Sequence, residues 1–369
     1  MLNQKMNCIF TKSKINQMLK KSLFLFILAS CLFSLKTLLA QDIHYSQYYA
    51  SPLTLNPALT GKFNGYYRAT AIYRDQWRNV NGGEAVFMTP SASVDFSLLK
   101  DKLSTDALGV GAHVVYDKDG IFERYQAGVN LAYHKGLDRG NKYHLAFGLQ
   151  GVYNSSSLDV NSIFADQIGL DGTIADMSME QTNGLASSTN SFFDVNAGLL
   201  FDAQINSDIT LYVGGSFLHI TRPLDDFIST GSDDDNSLPR RYVGHGGLDM
   251  QFNRFYVLPG FLYQVNDIGN KEVNVGSTFG YDFAKDPSKD LIGFLGAWYR
   301  VGDAAIIKGG LEYNRIRLSA AYDLTLSQLR DDTDVALGKI PTAFEISMSY
   351  FGFNNPKVPQ DRYLFNPRF

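Results

Sequence analysis

Tyr125, Ala127, Val129, Leu131 and Tyr133 alternate with Gln126, Gly128, Asn130, Ala132 and His134. A period of two is the mark of a strand whose faces meet different surroundings. The pattern returns at Phe193, Val195, Ala197, Leu199 and Phe201 against Asp194, Asn196, Gly198 and Asp202. It returns at Ile316, Leu318, Ala320 and Tyr322 against Arg315, Arg317, Ser319 and Asp323, and at Phe344, Ile346, Met348 and Tyr350 against Glu345, Ser347 and Ser349. A soluble sandwich also alternates. Here rings cluster at the ends of the apolar faces, as at the two interfaces of a bilayer, and charges sit at strand centres on the other face, as in a wet lumen. Segments of about ten residues are what a tilted strand needs to cross hydrocarbon, and in lipid such strands must close to pair every backbone group.

These rules predict an all-β fold, a transmembrane antiparallel barrel of about 14 strands. The segments lie near 66–77, 88–97, 107–116, 123–135, 142–154, 191–203, 209–219, 240–252, 255–266, 271–284, 290–301, 305–314, 315–326 and 342–353. With the start of the first strand in the periplasm, connections alternate between outside and inside. The three longest, near 155–190, 220–239 and 327–341, all fall outside, whereas 204–208 and 253–254 are short and fall inside. Membrane barrels show this asymmetry. Inward positions on this scheme include Arg68, Arg74, Asp95, Arg315 and Arg317.

The N-terminus places the chain beyond the cytoplasm. Lys20 and Lys21 precede an apolar run from Leu23 to Leu35, and small Ala40 precedes Gln41, which reads as a secretory signal peptide over residues 1–40. Met18 is an alternative start, and Leu28-Ala29-Ser30-Cys31 resembles a lipoprotein cleavage box, a rival site that leaves a second apolar stretch at the new terminus. Cleavage after Ala40 removes both cysteines, Cys8 and Cys31, and with them any disulfide or thiol chemistry. It also removes six lysines, taking the formal charge from −4 to −10, which argues against nucleic acid as a partner.

Candidate chemistry is sparse. His113, His134 and His144 share the lumen phase, and His134 and His144 face each other across a predicted turn, but a third ligand is lacking; solvated lumen histidines are the plainer expectation. Asp225, Asp226 and Asp233-Asp234-Asp235-Asn236 invite calcium, yet the positions that a hand-type loop needs as Gly and Glu hold Leu238 and Gly244. Nucleophile-elbow, phosphate-loop and HExxH patterns are absent. No catalytic residue, metal or cofactor is nominated, and the expected role is non-enzymatic.

One stretch breaks the alternation. His44-Tyr45-Ser46-Gln47-Tyr48-Tyr49-Ala50-Ser51-Pro52-Leu53-Thr54-Leu55-Asn56-Pro57-Ala58-Leu59-Thr60-Gly61 lies between the leader and the first strand. Pro52 and Pro57 cannot donate ladder hydrogen bonds, Asn56-Pro57 favours a turn, and Gly61 accepts positive φ. Its amides and tyrosine hydroxyls need partners, which a lumen or periplasmic rim supplies. Residues 41–65 are therefore expected to dock there as a partial plug or landing surface, through Gln47, Tyr48, Pro52, Asn56, Pro57 and Gly61. The plainer alternative is a purely structural role, sealing the barrel floor and setting the first strand. Arg68 and Arg74 are placed to pair with the segment or with carboxylates such as Asp95, at about 1 kcal/mol or less if exposed.

This stretch, from Gln41 to Gly61, resembles the mature N-terminus of the PorP/SprF family. Tyr73-Arg74-Asp75-Gln76-Trp77 is similar to the family's Y-R-x-Q-W. Tyr212 to Ser216 with Arg222-Pro223, Tyr322 to Leu329, Glu345 to Tyr350 and the closing Pro367-Arg368-Phe369 also agree, while Asn366 stands where the family often has Cys. The resemblance implies an outer-membrane protein of the type IX secretion system of Bacteroidota, acting in secretion or surface anchoring of large adhesins or gliding proteins through their C-terminal sorting domains. It also implies periplasmic secretion subunits, including a peptidoglycan-binding protein, as partners. The domain reading is a leader (1–40), a docking segment (41–65), the barrel (66–353) embedded in outer-membrane lipid and a C-terminal tail (354–369). A diffusion channel or hydrophobic-solute transporter on the same barrel is the alternative function.

Overall fold

A computed structural model describes residues 43–79, 87–99, 103, 105–120, 122–158, 189–225, 236–284, 291–327, 330 and 339–352. The leader, most of the 155–190 connection, Asp226, Asp233 to Asp235 and the tail lie outside the described residues.

Among the described residues, fourteen strands run as β1 (Tyr67–Gln76), β2 (Phe87–Leu98), β3 (Ala107–Asp119), β4 (Phe122–Gly136), β5 (Tyr143–Leu158), β6 (Thr189–Gln204) and β7 (Ile209–Leu218), then β8 (Arg241–Phe252), β9 (Phe255–Asn266), β10 (Lys271–Asp282), β11 (Leu291–Arg300), β12 (Ala304–Tyr313), β13 (Ile316–Thr325) and β14 (Thr342–Gly352). Each pairs antiparallel with its sequence neighbours, and β1 pairs with β14, so the barrel is closed with no free edge. The fourteen predicted segments and the antiparallel closure are those of the structure. The ends differ by a few residues: β2 to β6 run past the patterned segments, whereas β1, β7, β8, β10, β11, β13 and β14 stop short of them.

Alternation decides which way each side chain points. Phe193, Leu295 and Val129 are 77%, 68% and 67% exposed on the outer face, a density of bare apolar side chains that only lipid solvates favourably. Rings pair at both ends of this face: Tyr67 with Phe96 and Tyr350 near the short turns, Tyr116 with Tyr125 and Tyr153 with Phe193 near the long connections. The inner face carries the polar residues. Register sets them opposite one another: Arg74 faces Glu345 across β1 and β14, and Arg68 faces Asp95 across β1 and β2. Directly opposed side chains of opposite charge are the pairs a sheet favours.

Inside the barrel lies the segment before β1. It forms a 3₁₀ turn at Tyr48–Ala50, the short helix α1 at Pro52–Leu55 and a second 3₁₀ turn at Pro57–Leu59. Pro52 and Pro57 each occupy a first helical position, where a missing N–H costs nothing. Tyr45, Tyr48, Leu55, Ala58 and Leu59 are buried with Ala146, Leu200, Tyr212, Trp298 and Ile306 of the wall, so the molecule's core is the contact between segment and lumen.

Candidate functional site

The segment is held at three levels. Near the long-connection end, the Ser46 and Gln47 backbone N–H groups donate to the two Glu345 carboxylate oxygens at 2.6 and 2.8 Å. The Ser46 hydroxyl donates to Asp323 at 2.5 Å and accepts from Arg74 at 2.8 Å and Arg300 at 2.6 Å. Arg74 also pairs with Glu345, and Arg300 with Asp323 at 3.1 Å. Two guanidiniums and two carboxylates thus surround one turn of backbone, all of them buried. His44, half-buried above this cluster, has its pKa lowered to about 3 by burial and then by the Arg300 and Arg74 guanidiniums.

At mid-height Asn56 does the positioning. Its Oδ1 accepts from the Ala58 N–H at 2.9 Å, capping the second 3₁₀ turn, and its Nδ2 donates to the Leu199 carbonyl at 2.9 Å and the Gly215 carbonyl at 3.2 Å. Gln150 Nε2 donates to the Leu53 carbonyl at 2.7 Å, and the Ser216 hydroxyl to the Leu55 carbonyl at 2.7 Å. The wall makes room with glycines: a Cβ on Gly148 would lie 2.2 Å from the Ala58 nitrogen, and one on Gly198 would lie 1.9 Å from Asn56 Oδ1. Tyr48 meets Trp298 edge-on at 5.7 Å between centroids, and Lys308 Nζ lies 4.0 Å from the Tyr49 ring and 4.3 Å from Trp298.

At the short-turn end the chain turns into β1. Gly61, at φ 74°, donates its N–H to Asp95 at 2.8 Å. Asp95 also accepts from Arg68 Nε at 3.0 Å and Nη2 at 2.8 Å, and Arg68 reaches the Leu59 carbonyl at 3.2 Å. Lys62 pairs with Asp202, which His144 contacts at 2.9 Å.

Gln47, Tyr48, Pro52, Asn56, Pro57 and Gly61 therefore all line one path through the lumen, and Arg68, Arg74 and Asp95 touch it directly. Arg317 faces inward and pairs with Glu312 at 2.6 Å. Arg315 departs from its expected lumen position. It is exposed in the turn between β12 and β13, on the side of outward-facing Tyr350, because Asn314 and Arg315 form the turn that joins Tyr313 to its partner Ile316, so β13 begins one residue after Arg315. The histidines depart as well. His134 and His144 are offset across β4 and β5, where His134 faces Ala146 and His144 faces Gly136, and both are fully buried rather than solvated. His134 Nε2 contacts the Thr60 carbonyl at 2.7 Å and His144 is held by Asp202 and Asn141, so both serve the segment or its clamp. Among the described residues no group of three or more His, Cys, Asp or Glu is placed to hold a metal ion. The ion pairs of Arg68 and Arg74 are likewise buried, so the small energies of exposed pairs do not apply to them.

Ser46, Lys62, Asp202, Arg300 and Lys308 carry as much of the contact as the residues the sequence singles out. Their signal was present, since the last four hold a charge at or next to a lumen position, but only their partners reveal its use.

A family model described as "Type IX secretion system membrane protein PorP/SprF" matches residues 37–350, nearly the whole chain. This chain belongs to the PorP/SprF family. It is a membrane protein of the type IX secretion system, and its barrel sits in the outer membrane. No curated protein sequence matches it. Among solved structures, the Pseudomonas putida toluene transporter TodX is 11% identical, with 81% of this chain and 93% of that chain covered at a TM-score of 0.44. The CymD monoaromatic hydrocarbon channel is 12% identical, with 83% and 93% covered at 0.46. A Pseudomonas aeruginosa FadL homologue is 12% identical, with 80% and 92% covered at 0.43. For this PorP/SprF protein the lumen segment is the candidate site, because side chains of the wall hold it at both ends and at mid-height.

Proposed function

We propose that this PorP/SprF protein is a non-enzymatic outer-membrane platform. It supports secretion or surface anchoring of large cargo, such as adhesins or gliding proteins, by engaging their C-terminal sorting domain. Periplasmic secretion subunits, including a peptidoglycan-binding protein, meet its short-turn face, where Thr60 to Lys62, the end of the lumen segment, are held by His134, Asp95 and Asp202. What supports this reading most is the state of the lumen. A segment of the chain itself occupies it, anchored by buried charges at both ends, which suits a docking body better than a conduit.

The test is twofold. Purified protein in planar bilayers is expected to show no steady conductance, while capturing an isolated sorting domain from a secreted adhesin. A steady open pore without capture favours the channel alternative instead. Deleting Gln47 to Gly61 then separates docking from structure: a barrel that still assembles but loses surface cargo marks a docking site, and a barrel that no longer assembles marks a structural one.

A further inference from the structure

The segment has a direction. β1 starts at the end of the barrel that carries the short turns, 253–254 and 314–315 among them. Residues 60–62 lie at that end, on His134, Asp95 and Asp202, close to the β4 and β6 termini and the second half of β2. Residues 43–46 lie at the opposite end. The Ile43 carbonyl accepts from Arg241, the first residue of β8, at 3.4 Å, and Ser46 accepts from Arg300, the last residue of β11. That end carries the connections 159–188, 219–240 and 326–341. Between the two ends, Leu53, Leu55 and Asn56 touch the wall at mid-height. The chain thus traverses the lumen from the long-connection mouth to the short-turn mouth before β1 begins.

In an outer-membrane barrel the short turns face the periplasm and the long connections face outward. We infer that the chain preceding Ile43 leaves this barrel at its cell-surface mouth, so that the N-terminus of the processed protein is a surface group although β1 begins at the periplasmic rim. This rests on the outer-membrane reading and reaches beyond docking at a rim.

The mature chain expected from cleavage after Ala40 has no cysteine, which makes labelling clean. Three variants are compared in cells with a membrane-impermeant maleimide: Asp42→Cys, Asp267→Cys in the outward connection of β9 to β10, and Arg254→Cys in the inward turn of β8 to β9. Asp42→Cys is expected to label in intact cells as fully as after outer-membrane permeabilisation, matching Asp267→Cys, whereas Arg254→Cys labels only after permeabilisation. The inference is overturned if Asp42→Cys follows Arg254→Cys, or stays unlabelled in both conditions while the barrel shows heat-modifiable mobility. Should Asp267→Cys and Arg254→Cys exchange behaviours, the orientation of the barrel is what failed.

Discussion

The wall and the segment it encloses follow opposite rules. In the wall nearly every residue has the same backbone job, and mainly the side-chain face changes; ladder bonds to the next strand satisfy most N–H and C=O groups. In the segment the short helix and the two 3₁₀ turns satisfy only part of the backbone, and side chains of the wall serve groups between them: Glu345 two N–H groups, Asp95 one, Gln150 and Ser216 two carbonyls. The contrast shows where specificity resides. The outer face tolerates any apolar side chain, because lipid is an undemanding partner. The inner face is particular, because each polar group left unmatched in a dry interior carries its full desolvation cost.

The largest expected effect breaks a clamp. Arg74→Met leaves Glu345 and Asp323 buried around Ser46 with Arg300 as the remaining counter-charge. Stability should fall by about 3–5 kcal/mol, the cost of stranding one side of a buried ion pair. The measurement is the urea midpoint of barrel unfolding in detergent; a shift no larger than for a surface arginine shows the cluster to be solvated.

Second comes a charge on the opposite face. Leu295→Arg, at a position 68% exposed, is expected to cost about 2–4 kcal/mol in vesicles, because it places a guanidinium in hydrocarbon. Were the outer face bathed in water, the same change would be nearly neutral or would improve solubility.

Third, two glycines of one strand should part company. Gly148→Ala drives a methyl group toward the Pro57–Ala58 peptide and should cost about 1–3 kcal/mol through overpacking. Gly151→Ala points outward, meets nothing within 4 Å, and should be neutral or slightly stabilising. Equal effects on the unfolding midpoint would mean that the segment does not press on β5.

The smallest effect is protonic. With its pKa lowered to about 3 from an ordinary 6.5, His44 stays neutral when folded, while the unfolded chain binds a proton below 6.5. Its contribution is therefore fully present above pH 6.5 and is lost as pH falls toward 3. For a half-buried side chain this amounts to about 1 kcal/mol after allowance for solvent screening. His44→Gln should flatten the unfolding midpoint across that window; an unchanged pH profile assigns the slope to other groups.

The wall was legible because its code is local. Alternation at Tyr125 to His134 places both faces of β4 without knowledge of any neighbour, and the phase of the connections follows from counting strands. The segment was half legible. Pro52, Asn56-Pro57 and Gly61 announce that it is not a strand, and its amides and hydroxyls announce a need for partners. Nothing local says that Gln47 meets Glu345 almost three hundred residues away, or that Asp202 serves Lys62. Arg315 shows the same limit in miniature, since one residue's difference in a turn moves a guanidinium from the lumen to the rim.

What the sequence by itself determined, then, is the solvent on each side of every strand, since side-chain period and hydrocarbon thickness are properties of a single stretch of chain. Only the tertiary structure decided which end of the barrel holds residues 43–46, which carboxylate meets which base, and which histidines are enclosed. Those choices depend on closure of β1 onto β14, which brings residues far apart in the chain within hydrogen-bonding reach and removes the water that would otherwise satisfy them separately.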